Sequence, residues 1–407
     1  MPLALLLLLI LASGAQAAAP HLPGERPGAQ HCVPEGQWLD PADHKTLSNT
    51  ALLERLAKKR VVLLGEDHDN HEHHRWQLIV AAQLHARQEG LRLGFESFPR
   101  SVQAVLDRWV AGELTEEQLL EQTRWKEVWR YDPAGYLPLF HFARLYRIPM
   151  IALNVERALV SRVSQEGWAN IPAGEREGVG DPAPPDEDYV DLLADMYGRH
   201  SRPHGQGDAE EDEEARLQRI KADPRFQRFV QGQLLWDRAM AEAIARALRD
   251  GAPQVAAIAG AGHLMGGYGI PRQLAALGIR DVAVLLPWDG AIPCEALEAG
   301  LADAVFGLAP PERVAEEPPR PRLGVYLQRT GAGVQVTKVT PGSVAEKAGI
   351  RAGDRILTIA GREVEDVGQV VEAVQATAPG TWLPLIVQRG EERLELVAKF
   401  PPAEKKR

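Results

Sequence analysis

Five short aliphatic runs, at 61–64, 91–95, 148–153, 254–259 and 281–286, alternate along this chain with stretches of helical periodicity such as 73–88, 101–110 and 226–248. Apolar runs this short, bounded by turn residues, read as buried strands. Helix-length segments between successive strands imply parallel pairing, because a parallel crossover needs a dozen or more residues, and a parallel sheet must be covered on both faces. The expected fold is an α/β protein, a layered α/β/α sandwich with a mostly parallel sheet, over residues 32–306. Gly90 ahead of the second run and Gly251-Ala252-Pro253 ahead of the fourth stop the preceding helices.

Two breaks interrupt this pattern. Residues 172–215 turn to Pro, Gly and acid and read as an insertion, with a helix expected over 186–198 and the acid run Glu210-Glu211-Asp212-Glu213-Glu214 as solvated surface. Residues 307–321, with Pro310-Pro311-Glu312 and Pro318-Pro319-Arg320-Pro321, have no period and read as a linker to a second domain over 322–401, which the family resemblance given below implies is β-rich. A length of 407 residues accords with two cores.

The first residues resemble an export signal. An apolar run over 3–11 precedes Ala15-Gln16-Ala17, small residues at the spacing a signal peptidase reads, so 1–17 is expected to be removed and the protein to be periplasmic or secreted. The run is shorter than the ~20 residues of a transmembrane helix, so no membrane span is expected. No Lys or Arg precedes it, and no cysteine offers a lipid acceptor at the cleavage site. In an oxidising compartment the only two cysteines, Cys32 and Cys294, suggest a disulfide; the alternative is two unrelated thiols. A net charge of −10 without a basic stripe argues against nucleic acid as a partner.

Chemistry concentrates at the strand ends. The first run leads into Gly65-Glu66-Asp67-His68 and the fourth into Gly260-Ala261-Gly262-His263, both Gly-x-x-His, while the second reaches Glu96 and the third Asn154. In open parallel sheets ligands bind beyond the carboxyl ends of the strands. Glu66, His68, Glu96 and His263 are therefore the candidate catalytic or metal-ligating set. Imidazole with carboxylate suits a divalent transition metal or an acid–base pair, and the residues do not choose between them. His71 is a candidate helper, whereas His73 and His74 open an amphipathic helix. Gln233, Trp236, Asp237 and Met240 share a helical face, with Trp236 and Met240 as core and Gln233 and Asp237 behind the pocket. Trp125, Trp129 and Tyr131 read as helix packing.

The stretches Leu63-Leu64-Gly65-Glu66-Asp67-His68-Asp69-Asn70, Leu93-Gly94-Phe95-Glu96-Ser97-Phe98, Ala152-Leu153-Asn154, Gln233-Leu234-Leu235-Trp236-Asp237-Arg238-Ala239-Met240-Ala241 and Ala259-Gly260-Ala261-Gly262-His263 with Gly269-Ile270-Pro271 resemble the ChaN-like haem-uptake proteins, relatives of the Tiki proteases and erythromycin esterases. The resemblance implies one pocket lined by both Gly-x-x-His motifs and a glutamate. It also implies haem binding for iron uptake or handling, with tyrosine as the iron ligand. Tyr136, Tyr189 and Tyr197 are the leading candidates, with Tyr131, Tyr268, His200 and His204 behind them. The same superfamily implies the alternative of a metal-dependent hydrolase, a peptidase or esterase using the Gly-x-x-His pocket.

From Arg322 the order Leu323-Gly324-Val325-Tyr326, Pro341-Gly342-Ser343, Ala348-Gly349-Ile350 and Gly353-Asp354-Arg355-Ile356 resembles a PDZ domain. That resemblance implies that Leu323, Gly324 and Val325 receive a peptide C-terminus by strand addition, with a helix over 369–377 as the other wall. A protein partner recruited this way is the expectation; a homodimer scaffold with an empty groove is the alternative.

Overall fold

A computed structural model describes residues 32–201, 213–310, 321–331 and 333–402. The leader 1–17, His204, the side chain of His200, and most of the acid run and linker lie outside the described residues. The chain divides into two compact units between Pro311 and Glu312.

The first unit contains β1 (Trp38–Leu39), β2 (Thr46–Leu47), β3 (Val61–Glu66), β4 (Arg92–Pro99), β5 (Met150–Asn154), β6 (Val255–Gly260), β7 (Val282–Trp288) and β8 (Ala304–Gly307). They form one sheet in the order β2-β1-β8-β7-β3-β6-β4-β5. The block from β8 to β5 is parallel, and β1 runs antiparallel to both β2 and β8. All five expected strands are present. The three others are two to four residues long, too short to carry a period.

Alternation along the strands builds a core on each face. Val62, Leu64, Leu93, Phe95 and Ile258 pack with the helices His71–His85 and Pro133–Leu145. Val61, Leu63, Val255, Ala257 and Leu286 pack with Pro224–Arg249 and Ile270–Ala276. This is the α/β/α sandwich. β5 is an edge strand whose outward groups are capped by an amide: Gln103 Nε2 donates to Met150 O (2.8 Å) and Ala152 N donates to Gln103 Oε1 (2.9 Å). A capped edge has no free ladder to offer another strand. Cys32 and Cys294 are disulfide-bonded, with Cα atoms 5.9 Å apart. Among the described residues no helix is long and apolar enough to cross a membrane.

The route of the chain makes a crevice. β3 and β6 are neighbours, with Glu66 in register with Gly260. The chain after β3 enters His71–His85 on one face of the sheet, and the chain after β6 enters Ile270–Ala276 on the other. Connections that part to opposite faces leave an opening beyond the strand ends.

The second unit is an antiparallel sheet of β9 (Val325–Thr330), β10 (Gly333–Val339), β11 (Arg355–Ile359), β12 (Arg362–Glu363), β13 (Trp382–Arg389) and β14 (Glu392–Lys399). Its main path is β14-β13-β11-β10-β9, which leaves β9 at an edge. Leu323, Val334, Ile356, Val370 and Val387 form its core. The helix Val367–Gln375 starts two residues ahead of expectation, where Asp366 and Gln369 make a capping box.

Candidate functional site

Each histidine motif ends in a histidine tied down from behind. His68 Nδ1 lies 2.8 Å from Glu66 Oε1, and Tyr136 donates its phenol hydrogen to the same oxygen over 2.5 Å. Gln77 Nε2 donates to Glu66 Oε2 at 3.0 Å. His263 Nδ1 lies 2.6 Å from Asp237 Oδ1, and the Tyr189 phenol donates to Asp237 Oδ2 over 2.7 Å. The arrangement is therefore duplicated: a tyrosine holds a carboxylate, the carboxylate holds Nδ1, and Nε2 is left to face the crevice. An Nδ1–H bound to a carboxylate fixes both ring orientation and tautomer.

Both Nε2 atoms face Glu96. Its Oε1 is 3.6 Å from His263 Nε2 and 4.0 Å from His68 Nε2, and its Oε2 accepts from Gly260 N at 2.7 Å. A break in register places it there. Phe95 pairs with Ala152 and Pro99 with Asn154, so four steps on β4 span two on β5. Such irregularities re-aim side chains. Asn154 Nδ2 donates to Glu96 O at 3.1 Å, which holds the bulge in place.

Packing leaves little room for a side chain at three glycines, and at Gly269 the obstacle is backbone. A Cβ on Gly260 would lie 3.0 Å from His68 Cε1, and one on Gly65 would lie 2.5 Å from Leu286 Cδ2. A Cβ on Gly269 would lie 2.5 Å from the His263 carbonyl oxygen and 2.7 Å from Asp237 Oδ1.

The charges follow from burial and partners. Burial opposes ionisation of Glu66, yet the hydrogen bond and charge of His68, with His74 and Tyr136, hold its carboxyl below the usual range. Burial opposes protonation of His263, but Asp237 and Glu96 hold its pKa up to about 9. Burial pushes Asp237 upward against the pull of His263 and Tyr189. His74, buried behind Glu66 with both ring nitrogens lacking a hydrogen bond, is pushed down to about 4 by burial.

The crevice encloses about 180 Å³, lined by His68, Glu96, Ser97, Trp129, Tyr131 and His263 among others. Trp129 meets His68 edge-on at 4.6 Å between ring centroids, and Tyr131 lies 5.2 Å from it. Trp129 and Tyr131, expected as helix packing, thus form the pocket's outer wall. The buried Ser97 hydroxyl has no hydrogen-bond partner among the described residues.

The expected set is therefore redistributed. His68, Glu96 and His263 line the pocket, and Glu66 stands behind His68 with its oxygens engaged. Among the described residues no group of three or more His, Cys, Asp or Glu side chains is arranged to hold a metal ion. Tyr136 and Tyr189, expected as haem ligands, are 1% and 0% exposed and serve Glu66 and Asp237 instead. Tyr197 packs against Phe226 and Phe229, outside the pocket lining. Asp237 was legible as a polar residue on the pocket-facing side of its helix. Its pairing with Tyr189, 48 positions away, had no local signal.

A sequence model described as "Haem-binding uptake, Tiki superfamily, ChaN" matches residues 52–274, more than half of the chain. This chain belongs to the ChaN family. The ChaN assignment agrees with a solved structure described as "Cofacial heme binding to ChaN of Campylobacter jejuni", which is 19% identical with a TM-score of 0.50 and covers 67% of this chain and 98% of that one. At that identity the likeness shows the fold. A PDZ model matches residues 335–389. The PDZ domain of HtrA3 bound to a phage-derived ligand is 28% identical, covering 19% of this chain and 83% of that one, with a TM-score of 0.18. A serine endoprotease from Yersinia pestis is 27% identical, covering 20% and 29%, with a TM-score of 0.19. Comparison with curated proteins gives no match.

In the PDZ unit Leu323 is buried and Gly324 has φ +85°, with Leu323 O and Gly324 O engaged by Ala345 N and Thr340 N. A Cβ on Gly324 would lie 2.3 Å from Ser343 Cβ. Gly353-Asp354 is the expected turn before a strand: buried Asp354 accepts from Arg351 N and from Arg389.

Proposed function

We propose that the ChaN unit binds haem across the mouth of the His68–Glu96–His263 pocket with Tyr131 as iron ligand, and that the PDZ unit recruits a partner by its C-terminal peptide. The observation that carries the haem reading is Tyr131 itself. It is 39% exposed, it lines the pocket, and it stands beside Trp129 while Tyr136 and Tyr189 are spent on carboxylates. The residues fit the group in type. A phenolate is a hard anionic donor suited to ferric iron. Trp129, Val128 and Val155 supply apolar surface, and Arg157 on the same lining supplies a cation for a propionate. A pocket of about 180 Å³ is smaller than the ~300–1,000 Å³ of sites that engulf a drug-sized ligand, so the macrocycle would lie over the opening. Bound haem would supply ferric iron as the Lewis acid. The His68 ring, held by Glu66, lies 5.2 Å from the Tyr131 ring between centroids. The disulfide supports an exported, oxidising location.

Titration of the mature protein with hemin tests this. Saturable binding with a tyrosinate-to-iron charge-transfer band is expected, with that band lost and affinity down by about tenfold or more in Tyr131→Phe. An unchanged spectrum in that variant would overturn Tyr131 as ligand. For the PDZ unit, a peptide with a free C-terminal carboxylate should bind and its amide should not, because the Leu323-Gly324-Val325 turn and the open edge of β9 are suited to a carboxylate and an added strand.

A second reading has its own support in the two Nε2 atoms facing Glu96 Oε1. That geometry suits hydrolysis of an ester or peptide, with His263 as the acid and Glu96 or His68 as the base. Hydrolysis of ester and peptide substrates, lost in His263→Asn and retained in Tyr131→Phe, would favour it over haem binding. Elemental analysis of the same preparation would show whether a transition metal is part of it.

A further inference from the structure

A second cavity lies beside the edge strand β5 and shares no lining residue with the His68 pocket. It encloses about 270 Å³, and its walls combine Met150, Ile151 and Ala243 with three arginines, Arg92, Arg100 and Arg246. The arginines are incompletely matched. Arg100 donates from Nη1 to Glu177 O at 2.9 Å and from Nη2 to Ala239 O at 2.8 Å, while its buried Nε has no hydrogen-bond partner among the described residues. Arg92 Nη2 donates to Asp250 O at 2.9 Å. The Arg246 side chain has neither an ion pair nor a hydrogen bond among the described residues.

The nearby acids offset this only in part. Glu242 Oε2 stands 4.0 Å from Arg100 Nη2, and its Oε1 is already taken by Arg238 at 2.7 Å and Gly180 N at 3.1 Å. Asp107 and Asp250 are exposed, and Asp107 accepts from Gln103. Burial, followed by the charge of Arg246, pushes Arg100 below its ordinary value, as a cation does when its neighbour is another cation. Glu177 also acts on Arg100, but among the lining side chains three arginines face Asp107 and Asp250, a small positive surplus, and Met150, Ile151 and Ala243 line the same cavity. A dianion would exceed the surplus, and a purely apolar ligand would leave the arginines bare.

We propose that this cavity binds a small monocarboxylic acid with a short aliphatic body, its carboxylate received by Arg100 Nε and the Arg246 guanidinium and its chain laid against Met150, Ile151 and Ala243. Arginine N–H groups are the donors best matched to a carboxylate. The proposal is independent of the haem reading, because the two cavities share no lining residue.

Titration of the full chain with hexanoate, acetate and inorganic phosphate tests it, with the arginine Nε–H signals followed by NMR. Hexanoate should saturate and shift the Arg100 Nε–H resonance, with acetate and phosphate about tenfold weaker or more. Arg246→Ala, at an exposed position, should keep the fold and the hemin titration while weakening hexanoate by about tenfold. Arg92→Ala serves as a second variant at the same cavity. Absence of saturation up to about 10 mM hexanoate, or an affinity unchanged in Arg246→Ala, would sink the proposal. Phosphate binding as tightly as hexanoate would refute the aliphatic part.

Discussion

His263 Nδ1 lies 2.6 Å from Asp237 Oδ1, and the Asp237 carboxylate is fully buried behind the ring. The protonated ring is held up to about 9 in the folded protein, above the ~6.5 of an unperturbed histidine. A raised folded-state pKa gives stability that is fully present below the unfolded value and is lost as pH rises through the folded one. Wild-type stability should therefore fall between about pH 6.5 and 9, by on the order of 3 kcal/mol from this group. Denaturant unfolding across that window, with His263→Gln as the flat comparison, checks it.

The two buried phenols predict a split between stability and ligand spectra. Tyr136→Phe removes a donor from Glu66 and Tyr189→Phe removes one from Asp237, each leaving a buried carboxylate short of a partner. Each should cost about 1–3 kcal/mol, read as a shift in the urea midpoint. The hemin charge-transfer band should survive in both, whereas Tyr131→Phe should lose the band at little cost in stability.

Glycine-to-alanine substitutions should rank by what the new methyl meets. At Gly269 it meets the backbone carbonyl of His263 and the buried Asp237 carboxylate, neither of which can yield. At Gly65 it meets the end of the flexible Leu286 side chain. Gly269→Ala should cost about 1–3 kcal/mol and loosen His263, while Gly65→Ala should cost less, as thermal unfolding of the pair would show.

Opening the disulfide should destabilise the ChaN unit. Its cysteines are 262 positions apart, and the chain-entropy model assigns a loop of that length roughly 5 kcal/mol, from which native-state effects subtract. Cys294→Ser should unfold at lower denaturant than wild type under oxidising conditions. Under reducing conditions the two should coincide.

Local pattern was enough for the strands of the first domain and for both Gly-x-x-His turns, while the PDZ frame came from family resemblance. Apolar period, glycine placement and turn chemistry are properties of neighbouring residues, so 61–64 and 254–259 announce themselves as strands without help from the rest of the chain. The same reading located Glu66, His68, Glu96 and His263 at strand ends. It could not say which side chains face the cavity and which stand behind it.

That division is tertiary. Tyr136 reaches Glu66 across 70 positions and Tyr189 reaches Asp237 across 48, so two tyrosines that the family resemblance offers as haem ligands are consumed by carboxylates. Tyr131, a lesser ligand candidate that also reads as packing, lines the pocket and is partly exposed. The sequence by itself determined the sandwich, the pocket's edge of the sheet and the residue types gathered there. Only the folded chain decided their roles, because burial removes water as the alternative partner and makes each buried polar group depend on whichever distant side chain the sheet order brings beside it.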